Sequence, residues 1–217
     1  MLKIWGRISS INVQKVVWCA TDLGLDFERL DAGGQFGVVD TAEYARLNPN
    51  RRVPVIDDEG FVLWESNAIV RYLSAKHPEG GLYPETLQAR ADCDRWMDWA
   101  SLELIASMRD GFWQLVRTEP AKRQQSVIDT STRQVESLLG ILEAALAGRD
   151  YIVGDRFTMA DIPLACAAHR WRLLPVERAA RPNVDRWLER AAQRPGAREI
   201  IIPETFSAPE ITALPLT

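Results

Sequence analysis

Two serines and an asparagine, Ser9, Ser10 and Asn12, stand in the run Gly6-Arg7-Ile8-Ser9-Ser10-Ile11-Asn12-Val13-Gln14-Lys15, just ahead of a helical pattern. A serine there makes a good helix N-cap, which is a purely structural use. The same place favours an anion, because the first N–H groups of a helix lack intrahelical partners and the dipole is positive there. A hydroxyl at that point can donate a hydrogen bond to a thiolate brought in by a ligand.

A second run, Asn48-Pro49-Asn50-Arg51-Arg52-Val53-Pro54-Val55, sets a proline at a strand start. A trans proline there merely limits the strand to an edge. A cis Val53–Pro54 bond turns the Val53 N–H and C=O outward, where an extended peptide can pair with them as with a sheet edge. The third run, Trp64-Glu65-Ser66-Asn67, lies where a strand feeds a helix. Glu65 can bind an ammonium group, and Ser66 with the helix N–H groups can bind a carboxylate. The structural alternative is an exposed acid beside a cap.

The elements that must hold these residues follow from periodicity. Leu2-Lys3-Ile4-Trp5 reads as a strand, and Val13, Val16, Val17, Ala20 and Leu23 as a helix stopped by Gly24. Asp26 to Leu30 is a second strand, Gly33, Gly34 and Gly37 a loop, and Thr41 to Leu47 a short helix. Val53 to Ile56 and Phe61 to Trp64 flank Asp57-Asp58-Glu59-Gly60, a hairpin signal, and Ala68, Ile69, Tyr72 and Leu73 mark another helix. The order β-α-β-α-β-β-α predicts a parallel crossover followed by an antiparallel hairpin, close to the thioredoxin plan.

After His77-Pro78-Glu79-Gly80-Gly81, strand signals nearly vanish. Helical steps run through Trp96, Trp99, Leu102, Ile105 and Ala106, then through Val127, Leu138, Leu139, Leu142 and Leu146. Thr158-Met159-Ala160-Asp161 fits a helix start in which the Thr158 oxygen accepts from the backbone and Asp161 answers back. A last helix covers Pro182 to Gln193. The fold class is therefore an α/β thioredoxin-like domain over residues 1–78 followed by an all-α helical domain over residues 86–217.

Length and composition agree with that division. The 217 residues, 47% hydrophobic and 26% charged, suit one large or two small globular domains. A net charge of −4 argues against a broad nucleic-acid surface. Cys19, Cys93 and Cys166 show no CxxC or metal spacing, and the two histidines lie far apart, so no metal site is expected. No long apolar run suggests a signal peptide or a membrane span, and a reducing, cytoplasmic setting is the expectation.

Together, Asn48 to Val55, Glu65-Ser66-Asn67-Ala68-Ile69, Leu82-Tyr83-Pro84 and Phe157-Thr158-Met159-Ala160-Asp161 resemble, in order, the signature segments of the cytosolic glutathione S-transferases. The resemblance covers nearly the whole chain and implies a glutathione-binding first domain, a helical second domain and a homodimer. Carried onto this sequence, it implies that Val53 pairs through its backbone with the cysteinyl part of glutathione. Pro54 is then the cis proline, Arg52 borders the same site, and Glu65 and Ser66 bind the γ-glutamyl end. The loop from Gly6 to Lys15 looks most like bacterial, theta-like, serine-type members, in which a hydroxyl before the first helix hydrogen-bonds the thiol sulfur. Ser10 is the best match for that role, Asn12 the second and Ser9 the third.

Departures from the family narrow the choice. No tyrosine precedes Tyr44 and no cysteine precedes Cys19, so tyrosine-type and cysteine-type chemistries lack their residue. Cys19 falls inside the first predicted helix and reads as a small buried apolar residue. The Ser-Ser-Ile-Asn run also differs from the Ser-Ser-Cys pattern of maleylacetoacetate isomerases.

The expected reaction is attack of glutathione thiolate on an apolar electrophile. A free thiol ionises near ~8.5, and lowering that by ~1–2 units needs about 1.4–2.7 kcal/mol of differential stabilisation. One charge-assisted hydrogen bond worth ~1.5–3 kcal/mol, with the helix dipole, suffices. The electrophile site is expected between the domains. Arg109 and Trp113, one helical turn apart, Phe112 beside them, and Phe36 and Ile11 from the first domain are its candidates, although core or interdomain packing is the preferred explanation for any single tryptophan. Two further readings remain open: a glutathione-dependent disulfide reductase, to which Asn12 points, and a non-catalytic binding module of the same fold.

Overall fold

The computed structural model describes residues 1–198 and Ile200. The predicted second domain, 86–217, therefore ends partly outside the described residues. Strand β1 (Leu2–Trp5) lies at the centre of a four-stranded sheet with β2 (Phe27–Leu30), β3 (Val55–Asp58) and β4 (Phe61–Trp64), in the order β2-β1-β3-β4. The β1–β2 pair is parallel and the β1–β3 and β3–β4 pairs are antiparallel. This is the mixed sheet that the crossover and hairpin signals predict. The hairpin is tighter than the Asp57 to Gly60 turn expected from sequence. Asp57 and Asp58 remain in the ladder, and only Glu59 and Gly60 turn, closed by Gly60 N–H donating to the Asp57 carboxylate at 2.7 Å.

Helix α1 (Ile11–Asp22) crosses between β1 and β2, α2 (Ala42–Leu47) is short, and α3 (Ser66–Lys76) follows β4 directly. Helix α1 buries eight consecutive residues, Val13 to Ala20, because it packs on two sides, against α3 and against helix α7 (Asp161–Leu173) of the second domain. Its fully buried apolar side chains are each worth about 1.5–3 kcal/mol and form one continuous core with both domains.

The second domain opens with a long rod. Helix α4 (Leu87–Trp99), capped by Thr86, runs into π-helical turns at Ala100–Ile105, then α5 (Ala106–Phe112), then a second π segment, Trp113–Arg117. Helix α6 (Gln125–Ala145) returns along α5 as one helix. Helix α7 is buried from Asp161 to His169 and at Trp171, with Arg172 reaching solvent, and α8 (Pro182–Ala191) presents Val184, Trp187, Leu188 and Ala191 as one buried stripe.

The start of α7 differs from the predicted capping arrangement. The Thr158 hydroxyl donates to Asp161 at 3.1 Å instead of accepting from the helix, and the orphan N–H of Asp161 is met by the Thr158 carbonyl. The cause is the burial of Asp161. Its carboxylate is fully enclosed and draws four donors to itself: the N–H groups of Ile152 and Thr158, the Thr158 hydroxyl and the Trp187 indole N–H.

Candidate active site

The three chemistry-bearing runs meet at the first turn of α1. Gly6, at the end of β1, lies against Val53: a Cβ added to Gly6 stands 3.2 Å from the Val53 Cβ and 2.3 Å from a Val13 methyl. The turn after β1 needs glycine for that close approach, and for its φ of 152°. One turn into the helix, the Ser66 hydroxyl lies 3.3 Å from the Asn12 side-chain oxygen and donates to it. Deeper still, the Lys15 ammonium is 3.5 Å from the Asn67 carbonyl oxygen, whose amide in turn donates to Met97 and Ser101 of the rod.

Ser10 occupies the N-cap of α1 in extended backbone geometry, yet its side chain makes no capping bond. The first intrahelical bond runs from Gln14 N–H to the Ser10 carbonyl, at 2.9 Å. The hydroxyl and the N–H groups of the first turn thus point to the same unfilled task, stabilising negative charge at the helix end. Ser9 is held differently: its carbonyl accepts from Arg170 Nη2 at 2.9 Å, and the same nitrogen donates to the Gln14 side chain at 3.2 Å. Asn12 faces Ser66 rather than standing free at the cap.

The Val53–Pro54 peptide is cis. Upstream, the Arg52 carbonyl accepts from the Tyr44 hydroxyl at 3.0 Å and from the Asn48 side-chain amide at 2.8 Å, while the Arg52 side chain is exposed. Among the described residues no hydrogen bond uses the N–H or C=O of Val53. A pinned loop with one unpaired peptide is a ready acceptor for an extended ligand backbone. Glu65 is exposed at φ 73°, a conformation L residues rarely hold, and its carbonyl accepts the first bond of α3, from Ile69 N–H at 2.9 Å. That leaves the Ser66, Asn67 and Ala68 N–H groups open to a carboxylate, with the Ser66 side chain beside them.

None of the three cysteines offers a nucleophile. All are buried, and burial pushes Cys19 and Cys166 up to about 12 and Cys93 up to about 11. A sulfur reacting at this site must come from a ligand. Among the described residues no group of three or more His, Cys, Asp or Glu side chains is arranged to hold a metal.

The candidates for the electrophile side separate into two groups. Phe112 is half-buried, with the Arg170 guanidinium 5.2 Å above its ring, and so faces the loop that carries Ser9. Ile11 packs against the common core at the first turn of α1. Arg109 and Trp113 lie on a solvent-exposed part of the rod, Trp113 60% exposed and Arg109 paired at 3.2 Å with Asp110. Phe36 sits exposed in the 3-10 turn Gly34–Phe36. Two residues that sequence reasoning did not single out, Arg7 and Arg170, stand at the Ser9–Ser10 turn: the Arg7 carbonyl accepts from Ser10 N–H at 3.1 Å, and Arg170 donates to the Ser9 carbonyl. Only their common sign hinted at a shared role, since they lie far apart in the chain.

The comparisons with known proteins agree with this geometry. The family model for the glutathione S-transferase N-terminal domain matches residues 1–75, and that for the C-terminal domain matches residues 104–195. The chain is 36% identical over 204 residues to glutathione S-transferase GstB of Escherichia coli, covering 93% of this chain and 98% of that protein. It is 31% identical to glutathione S-transferase 3 of Zea mays, with 92% and 93% covered. Among solved structures it resembles the theta class glutathione S-transferase from Xanthomonas axonopodis pv. citri with glutathione bound, at a TM-score of 0.89 and 42% identity, over 93% of this chain and 97% of that one. Matching sequence along both domains and the same overall fold lead to one conclusion: the chain belongs to the glutathione S-transferase family of enzymes.

Proposed function

We propose that this enzyme binds glutathione along Val53 and the start of α3, and lowers the pKa of its thiol at the start of α1. The thiolate then attacks an apolar electrophile held between the domains. One observation carries the reading: the Ser10 side chain stands at a helix N-cap and makes no capping bond. An uncommitted hydroxyl there, beside first-turn N–H groups without intrahelical partners, suits a sulfur anion. Val53 would pair with the cysteinyl unit, with Pro54 and Arg52 shaping that turn. Glu65 and Ser66 would take the ammonium and carboxylate of the γ-glutamyl end.

Asn12 was the residue pointing to a disulfide reductase. Its contact with Ser66 favours a place at the γ-glutamyl end and leaves the thiol to Ser10, with Ser9 third. The transferase reading is accordingly preferred over the reductase, and over a non-catalytic binding module. The Glu65, Ser66 and Val53 groups that a lapsed site need not keep support that order. Ile11 and Phe112 are the preferred walls for the electrophile, with Phe36, Arg109 and Trp113 as outer candidates.

The enzyme is further proposed to be a cytoplasmic homodimer acting in detoxification, without a metal. No described helix is long and apolar enough to cross a membrane. Phe61 and Trp64, exposed on the edge strand β4, supply apolar surface for a second copy.

The test is calorimetric titration with glutathione, followed by turnover of a chloronitroaromatic against hydroxyethyl disulfide. Binding with preferred conjugation supports the transferase reading. Preferred disulfide reduction transfers it to the reductase, and no binding at millimolar glutathione contradicts both.

A further inference from the structure

The backbone around Ser10 is held at three points, and one of the groups that hold it comes from the second domain. The Ser10 N–H donates to the Arg7 carbonyl at 3.1 Å, and the Ser10 carbonyl accepts from Gln14 N–H at 2.9 Å. The carbonyl of the Ser9–Ser10 peptide accepts from Arg170 Nη2 at 2.9 Å, and the same nitrogen donates to the Gln14 side-chain oxygen at 3.2 Å. One guanidinium nitrogen from α7 thus bridges the residue before the N-cap and a residue one turn into α1. Gln14 is buried, so the bridge lies in the interior where the domains meet. With the C=O and the N–H of the Ser9–Ser10 peptide both bonded, its plane cannot turn without breaking one of the two bonds. The Ser10 hydroxyl alone is left without a structural task.

Arg170 is itself seated. Its guanidinium lies 5.2 Å from the centre of the Phe112 ring, on α5 of the same domain. Other arginines that join the two domains are tied to carboxylates: Arg71 lies between Asp94 and Asp98, and Arg194 lies on Asp22. Among the described residues Arg170 has no ion pair of that kind, and its hydrogen bonds go to Ser9 and Gln14. The titratable groups that act on it are Lys15 on α1, Arg7 in the loop, Arg117 on the rod, and Cys166 and His169 on its own helix, and none of these is a carboxylate. No acid there competes for the guanidinium, so its donors serve the Ser10 turn. A charged donor makes the stronger hydrogen bond to a carbonyl. Arginine also supplies a planar fork that rests on an aromatic face while its nitrogens donate.

We propose that Arg170 is a positioning residue for the reaction: from the second domain it fixes the Ser9–Ser10 peptide so that the Ser10 hydroxyl is aimed at the glutathione sulfur, and its seat on Phe112 links that aim to the wall proposed for the electrophile. This rests on the reading of Ser10 given above and names what holds Ser10 in place. A hydrogen bond weakens steeply once its angle departs from linear, so a turn free to rotate would lose much of the stabilisation of the anion. Arg170 makes and breaks no bond in the reaction. It acts through Ser10, and this separates its role from that of a charge acting on the sulfur directly.

The test is the pH titration of thiolate absorbance for bound glutathione in wild type, Arg170→Gln, Ser10→Ala and the double variant, with glutathione affinity measured in each by calorimetry. Arg170→Gln should make the bound thiol about tenfold weaker as an acid, with glutathione affinity little changed. In the Ser10→Ala background the same replacement should change it by less than about twofold. Turnover of a chloronitroaromatic below the thiol pKa should fall about tenfold in kcat, with KM for glutathione little changed. A brace that only stabilised the fold would not make its effect on the thiol depend on Ser10. Arg170→Lys keeps the charge but not the planar fork, so its effect should be smaller in the same direction. That variant carries the same comparison where Arg170→Gln does not fold. An Arg170 replacement that leaves the curve in place, while Ser10→Ala moves it, overturns the proposal alone. An equal shift with and without Ser10 also overturns it, because Arg170 then acts on the sulfur through its charge. Coincident curves for wild type and Ser10→Ala contradict the reading of Ser10 and the proposal with it.

Discussion

Ser10 and Glu65 stand at the N-caps of two different helices, and the role proposed for each gives a separable prediction. Glu65→Ala should weaken glutathione binding by about 10- to 100-fold, the loss expected for one charge-assisted contact. Calorimetry checks it, and an unchanged affinity places the γ-glutamyl end elsewhere. Lys15 is the residue whose own stability cost is most exposed to experiment. Burial pushes its pKa down to about 8, the nearby Cys166 and Glu65 oppose that, and Arg170 adds to it. Below about pH 8 the folded protein carries a buried charge, and the penalty is at its full size. From about 8 to the ordinary lysine value of 10.5 the unfolded chain holds a proton that the folded chain has released, so this group makes stability rise with pH. The shift corresponds to about 3 kcal/mol. Denaturant unfolding at pH 7 and pH 10 should show Lys15→Met removing that rise. A wild-type stability that is flat across this interval, after the other groups are matched in the variant, contradicts the assignment.

At the scale of elements, α1 does most of the positioning, because it touches sheet, α3 and α7 at once. Much of this was legible in the sequence. The Leu2 to Trp5 run, the Gly24 stop and the Asp-Glu-Gly turn fixed strand and helix order, since short alternating runs and glycine stops are local signals. The ordered segments at Asn48, Glu65, Leu82 and Phe157 pointed to the family and its two domains. The Arg109–Trp113 pairing was less legible. A period of 3.6 residues assumes an unbroken helix, and π-helical turns on both sides of α5 re-aim its faces. Nor could spacing show that Arg170 reaches back 161 positions to Ser9. The Asp161 knot was visible as a motif but not as a chemistry, because its partners Ile152 and Trp187 come from other segments. Asp161→Ala should cost at least about 1–3 kcal/mol, the range for leaving a buried donor unsatisfied, and thermal melting should show it. A loss under ~1 kcal/mol would mean the knot is not what holds the start of α7.

On the scale of the whole molecule, the two domains share one core and are bolted at several places. Asn67 donates to Met97 and Ser101, and Arg71 spans Asp94 and Asp98. Asp22, at the end of α1, accepts from Trp18, Arg194 and the Gly196 N–H. A Cβ on Gly196 would stand 2.4 Å from the Trp18 carbonyl, so that contact tolerates nothing larger than glycine. Unfolding should therefore be one cooperative transition, with tryptophan fluorescence and far-ultraviolet dichroism coinciding in denaturant. Two separated transitions would show that the domains are energetically independent. The same union ties the loop of Ser9 and Ser10 in the first domain to Arg170 in the second, so the thiol site proposed there depends on the whole chain. The most direct test of that site is the pH titration of thiolate absorbance for glutathione bound to wild type and to Ser10→Ala. The Ser10 hydroxyl should hold the bound thiol ~1–2 units lower than in the variant, with glutathione affinity little changed. Coincident titration curves for the two proteins contradict the assignment and hand the thiol to Asn12 or Ser9.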